Sequence, residues 1–166
     1  MKHVTLIMLW MVSNICLGQL QEVKEVSKNG MSVSWTFKND RIFIAMDAPT
    51  DGWLAIGFNT SSGITGTYLL MGHIINEKVE VVEHYTTSPG NYNPITKFEA
   101  TSQVKDMQGK QNGQHTTIAF SLPVHAISKY QRDLKEGLEY IMLIAYSQED
   151  DFQHHSIMRT STEIKL

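Results

Sequence analysis

Methionine thioethers and histidine imidazoles are the side chains in this sequence best suited to hold a transition metal or a metallocofactor. The 166-residue chain has nine Met and seven His but a single Cys. Met71 and His73 stand two residues apart. On a strand that spacing puts both on one face, about 7 Å apart along the chain. A core methionine followed by a solvated histidine at a strand end gives the same pattern. His154-His155 follows the acidic run Glu149-Asp150-Asp151 and precedes an alternating segment. On an extended chain only one of two adjacent residues can face a pocket, while the other faces water. A neutral imidazole at such a junction can ligate iron, copper or zinc. A solvated histidine pair has the same spacing.

Other chemistry is sparsely represented. The sequence contains no G-x-S-x-G, Walker loop, H-E-x-x-H or C-x-x-C, the spacings that build nucleophile elbows, phosphate cradles and zinc sites. The acidic run does not match an EF-hand loop, and no pair of carboxylates is placed for glycoside hydrolysis. No catalytic residue is nominated, and an enzyme acting alone is the least favoured reading. The net charge is −3 without a basic patch, which excludes a nucleic-acid surface.

These groups need a scaffold, and its start is marked by composition. A basic Met1-Lys2-His3, an apolar run and a small-residue end at Gly18 read as a signal peptide over residues 1–18. The apolar run is shorter than the roughly 20 residues of a membrane span. No second long apolar stretch follows, so no transmembrane segment is expected in the mature chain. The protein is therefore expected to be secreted or otherwise extracytoplasmic, in a periplasm or outside the cell. Cleavage removes Cys16, the only cysteine, so the core must hold the fold without disulfides.

Residues 19–29 read as a lead-in or short edge strand, and residues 30–166 as one domain. Residues 31–37 alternate, with Met31, Val33, Trp35 and Phe37 on one face. Asn39-Asp40 turns the chain into a second strand. Residues 53–58 are apolar on both faces, as in a central strand covered on both sides, and Gly57 hints at a bulge or close approach. A Ser/Gly-rich loop, residues 59–66, leads to a strand ending at Ile75. Asn76-Glu77 then turns into another. Residues 95–107 are weakly periodic and extended, residues 109–113 form a polar turn, and residues 125–136 are the only stretch with helix character. Residues 138–146 form the most hydrophobic strand, residues 147–153 an acidic loop, and residues 159–166 a final strand. About eight to eleven strands with frequent turns predict an all-β antiparallel sandwich.

The order of motifs carries more than any one of them. Gly52-Trp53-Leu54-Ala55-Ile56-Gly57-Phe58 comes first, followed by Ser62-Gly63-Ile64-Thr65-Gly66-Thr67 and Leu69-Leu70-Met71-Gly72. Together with the strand at 116–123 and the ending His155-Ser156-Ile157-Met158-Arg159, this order resembles the DOMON domain over about residues 30–166. The resemblance implies an Ig-like β-sandwich, usually outside the cytoplasm, that binds haem or sugars. The cytochrome domain of cellobiose dehydrogenase and dopamine β-monooxygenase carry such domains. Haem-binding members have Met and His axial ligands, the His lying four residues before an Arg. His155 and Arg159 match that spacing, with His154 where a Tyr usually stands. The usual Met position is Ile64, which cannot bind iron.

Three readings follow from the resemblance. Haem b is held by His155, with Met71, His73 or an open position on the other side. Alternatively a sugar occupies the same pocket, with Trp53 or Tyr68 as a stacking face. In the third reading the domain is a protein-interaction module without a ligand. A Met/His ligand set suits electron transfer with a redox partner, and an open site suits sensing.

Overall fold

Period-two alternation becomes strand wherever one face can be buried. The computed structural model describes residues 22–166, so the expected leader at 1–18 lies outside the described residues. β1 (Lys24–Lys28), β2 (Met31–Lys38) and β3 (Arg41–Ala48) form an antiparallel meander. Met31, Val33 and Trp35 of β2 and Ile42, Ile44 and Met46 of β3 are buried, and the residues between them are half-buried. The linking turns are Asn29-Gly30 and Asn39-Asp40, all four residues at positive φ. Asn, Asp and Gly accept that left-handed backbone, whose twist matches the flanking strands. Asn76-Glu77 repeats the device between β5 (Tyr68–Ile75) and β6 (Lys78–Ser88).

The other strands are β4 (Leu54–Asn59), β7 (Asn91–Pro94), β8 (Lys105–Gln111), β9 (Thr116–Pro123), β10 (Glu139–Tyr146) and β11 (Met158–Lys165). One sheet has five strands in the order β1-β2-β3-β9-β8, and the other has six in the order β11-β10-β4-β5-β6-β7. Every pairing is antiparallel, so the chain is the all-β sandwich that its strand pattern predicts. The core between the sheets gathers Leu54, Ile56 and Phe58 of β4 with Leu70, Ile44, Ile118, Phe120 and Met142. Each such side chain contributes about 1.5–3 kcal/mol by burial. Among the described residues no helix is long and apolar enough to cross a membrane.

Three segments depart from expectation. Residues 125–136 form no helix; among the described residues the one helical turn is 3-10, at Ile95–Phe98, at the start of a segment expected to be extended. In residues 125–136 side chains take the place of helical carbonyls. Asp133 Oδ1 accepts the Ala126 N–H at 2.9 Å, Gln131 Oε1 accepts the Ile127 N–H at 3.3 Å, and Leu134 N–H reaches Val124 O at 2.8 Å. The turn expected at 109–113 moves toward residue 113, because β8 continues through Gly109. A Cβ on Gly109 would lie 2.8 Å from Ile74 Cδ1 and 2.9 Å from Val79 Cγ2, so glycine lets β8 lie against the edge of the opposite sheet. Residues 19–29, expected as a lead-in or short edge strand, hold the edge strand: Lys24–Lys28 pairs with β2 at the margin of the five-stranded sheet.

Candidate functional site

β4 is buried along its whole length, so its sheet is covered on both sides. Leu54, Ile56 and Phe58 face the inter-sheet core. Trp53 and Ala55 point the other way and join Leu69 and Met71 of β5 and Ala145 of β10 in a second apolar cluster, with Tyr92, Leu143 and Phe152 packed against it. Gly57 lies on this outer side without a bulge, because both of its strand pairings are regular. A Cβ there would lie 2.6 Å from Thr67 Cγ2 and 3.4 Å from Leu143 Cβ, so the close approach is what requires glycine.

Two loops fold over this outer face. Residues 59–66 are stitched around Asn59. Its Nδ2 donates to Gly63 O, to Thr65 O at 3.3 Å and to Thr67 Oγ1 at 3.0 Å. The Thr67 hydroxyl donates to Ile64 O at 2.6 Å, and Thr67 N–H donates to the same carbonyl at 3.1 Å. Ile64 is thereby held on the wall of a trough.

The second loop spans residues 147–157 and is tied to the segment before β4. Trp53 N–H donates to Glu149 O at 3.1 Å, and Ser147 N–H donates to Trp53 O at 3.0 Å. Ser147 Oγ donates to His155 O at 3.1 Å and sets the height of that histidine. Gly52 permits the contact, since a Cβ there would lie 2.5–2.6 Å from backbone atoms of residues 147–149.

The trough between the loops has a volume of about 120 Å3 and is lined by Trp53, Ala55, Ile64, Leu69, Met71, Tyr92, Leu143 and Ala145, with His154, His155 and Arg159 among its polar members. An open groove of about 410 Å3 adjoins it and shares Ile64, Gly90, Leu143 and Arg159. Five residues nominated from sequence therefore line one trough: Trp53, Ile64, Met71, His155 and Arg159. His154 lines it as well, where an extended chain would have turned it away. The chain is not extended there: His154 N–H donates to Asp151 O at 2.9 Å, turning the backbone.

Two nominated residues stand elsewhere. Tyr68 faces the inter-sheet core and donates to Glu83 Oε1 at 2.6 Å. Burial, and then the Glu83 charge, push its phenol well above its ordinary pKa. Its ring is closed to any ligand in the trough. His73 shares the outer face with Met71, as its spacing predicts, but both ring nitrogens are engaged. Nδ1 lies 2.7 Å from Asp150 O and Nε2 lies 3.2 Å from Glu80 Oε2, while the ring stacks on Phe152 at 4.3 Å. His73 therefore braces the acidic loop and is not one of the trough's lining residues.

The structure adds residues that spacing did not single out. His84 is buried on the same outer face, edge-on to Tyr92 and to Phe152 at 5.7 Å each, and burial lowers its pKa. Leu143 and Ala145 complete the trough floor. Their signal was the near-continuous apolar run of β10, which announced a cover on both faces. Among the described residues no three His, Cys, Asp or Glu side chains converge as a bare metal site requires. The trough can offer an imidazole, a thioether, a guanidinium and an apolar floor.

Two solved structures share the fold. The cytochrome b domain of pyranose dehydrogenase from Coprinopsis cinerea aligns with a TM-score of 0.63 at 11% identity, over 81% of this chain and 76% of that one. The cytochrome domain of Myriococcum thermophilum cellobiose dehydrogenase aligns with a TM-score of 0.62 at 9% identity, over 88% and 82%. The DOMON domain family model matches residues 27–147, well over half of the sequence, and stops short of His155, Arg159 and β11. The chain belongs to the DOMON domain family.

Proposed function

We propose that the trough binds a flat, largely apolar ligand, b-type haem first among them, and that the domain serves electron transfer or ligand sensing outside the cytoplasm. The observation carrying this reading is the second apolar cluster on the outer face of the six-stranded sheet, roofed only by loops and edged by His155. A sheet face that has no structural need for a second core is well placed to hold a ligand. The family and the two cytochrome domains of like fold support haem over other flat ligands.

The donor chemistry fits haem. His155 supplies an exposed imidazole at the rim, and Met71 supplies a thioether in the floor at 1% exposure. Ile64, at the position where haem-binding relatives are expected to carry Met, offers only hydrocarbon. Arg159 places a cation beside the trough, suited to an acidic substituent of the ligand. The trough alone is smaller than the about 300–1,000 Å3 of usual ligand pockets. The adjoining groove, which shares four lining residues with it, provides the additional room. Bound haem would supply reversible one-electron chemistry to a redox partner, and the apolar walls would exclude water from it.

A sugar reading has less support. Sugar stacking needs an open aromatic face, yet Trp53 is 4% exposed and Tyr68 points into the core. Titration with haemin tests the proposal. The native protein is expected to develop a Soret band that His155→Ala abolishes and His154→Ala leaves in place. A native protein that develops no band, or a band indifferent to His155→Ala, would overturn the assignment.

A further inference from the structure

We propose that β11 is a homodimerisation edge: two copies pair antiparallel through residues 158–164 about a two-fold axis at Ser161. β11 is bonded along its full length to β10, from Glu139↔Lys165 to Tyr146↔Met158. Among the described residues no strand covers its other side. Exposed edges are normally blunted by shortness, bulges, proline or charged side chains, and the charges of β11 act so only where like meets like. The other three edges carry such devices. β7 has four residues and ends in Pro94. β8 is irregular between Lys105 and Gln108, with Asp106 at φ 54°. β1 has five residues, and pairing it with its own copy about Val26 would oppose Lys24 to Lys28. β11 has eight residues, no proline and a regular register.

The sequence of β11 is complementary to itself. Centred on Ser161, Arg159 falls opposite Glu163 of the partner subunit, and symmetry repeats the pair. Thr160 meets Thr162, and Met158 meets Ile164, on the other face. Opposite charges directly across a pair stabilise it, and like charges destabilise it. Moving the axis to Thr162 would set Arg159 against Lys165, so charge selects the Ser161 register. Among the described residues neither Arg159 nor Glu163 has an ion-pair partner, so both charges are free for this contact.

Two open grooves end at the same edge. One, of about 410 Å3, is lined there by Arg159, Thr160 and Ser161. The other, of about 580 Å3, is lined by Glu163, Ile164 and Lys165. A second β11 walls both and continues the six-stranded sheet across the two copies. Arg159 also lines the trough, so the pairing is tested without added ligand.

Sedimentation over a range of concentrations tests it with the full chain. The native protein is expected to be a reversible dimer. Arg159→Glu and Glu163→Arg should each weaken the dimer at least about tenfold. The double variant R159E/E163R restores opposite charges and should recover it. Should either single variant fail to fold, Ser161→Lys opposes two ammonium groups at the axis and should also give monomer. A native protein that stays monomeric throughout overturns the proposal. So do folded single variants that dimerise like the native chain, or a folded double variant that stays monomeric.

Discussion

Asp150 shows how one side chain serves a loop at a cost to itself. Its backbone carbonyl holds His73, while its own Oδ1 is buried without a donor. Burial raises its pKa; His73 opposes this, and Asp51 and Glu149 add to it. An acid whose folded pKa is raised contributes stability below the ordinary carboxylate range, and loses it as pH rises through the folded value. Asp150→Asn is therefore expected to raise the melting temperature near about pH 7. The gain should fade as pH falls below about 4, where the native carboxyl is already neutral. A scan of melting temperature against pH for both proteins checks the direction and the window.

His155 and Arg159 were paired by the family resemblance, and both line the trough. Tyr68 was misjudged although parity distinguishes it. It shares a face with Leu70, while Leu69, Met71 and His73 share the other. What spacing could not supply was the engagement of His73, because Asp150 lies 77 residues away.

At the scale of elements, the trough depends on two loops that meet β4 and its flanks. The loop at 147–157 is held by backbone bonds to Trp53, and Gly52 leaves no room there for a side chain. Gly52→Ala should force the two segments apart, at about 1–3 kcal/mol by the usual cost of overpacking. The loss should appear in the urea midpoint together with a displaced His155, read from its imidazole NMR signals. An unchanged midpoint would mean that the loops shift without cost. Strands were legible from alternation and from apolar runs. The 125–136 segment was not, because side-chain acceptors from Gln131 and Asp133 replace the helical ladder there. Those acceptors stand in the same sequence that suggested a helix.

Across the whole molecule, one buried carboxylate ties the six-stranded sheet to two crossing segments. Glu83 accepts from Tyr68 Oη at 2.6 Å, Gln131 Nε2 at 2.8 Å and Gln103 N–H at 2.6 Å. Glu83→Ala should leave these donors without their acceptor, at about 1–3 kcal/mol for each that stays buried. Denaturant unfolding should show the loss, and an effect below about 1 kcal/mol would mean that water replaces the carboxylate. Parity sets Glu83 on the face of Val79 and Val81, opposite to Glu80, but nothing in residues 78–85 names its partners, which lie 15, 20 and 48 residues away. The sandwich as such was readable because each strand declares its own faces. The polar ties between distant segments were not.

The strict division of β4 has a practical consequence. Leu54, Ile56 and Phe58 serve the core, while Trp53 and Ala55 on the opposite side serve the trough. Varying the trough set, together with Leu69, Leu143 and Ala145, would change the binding surface without touching the inter-sheet core, at a cost in stability because these side chains are buried as well. The domain is in that respect a ready display scaffold, in which new ligand preferences can be selected from a library while the sandwich beneath is inherited unchanged.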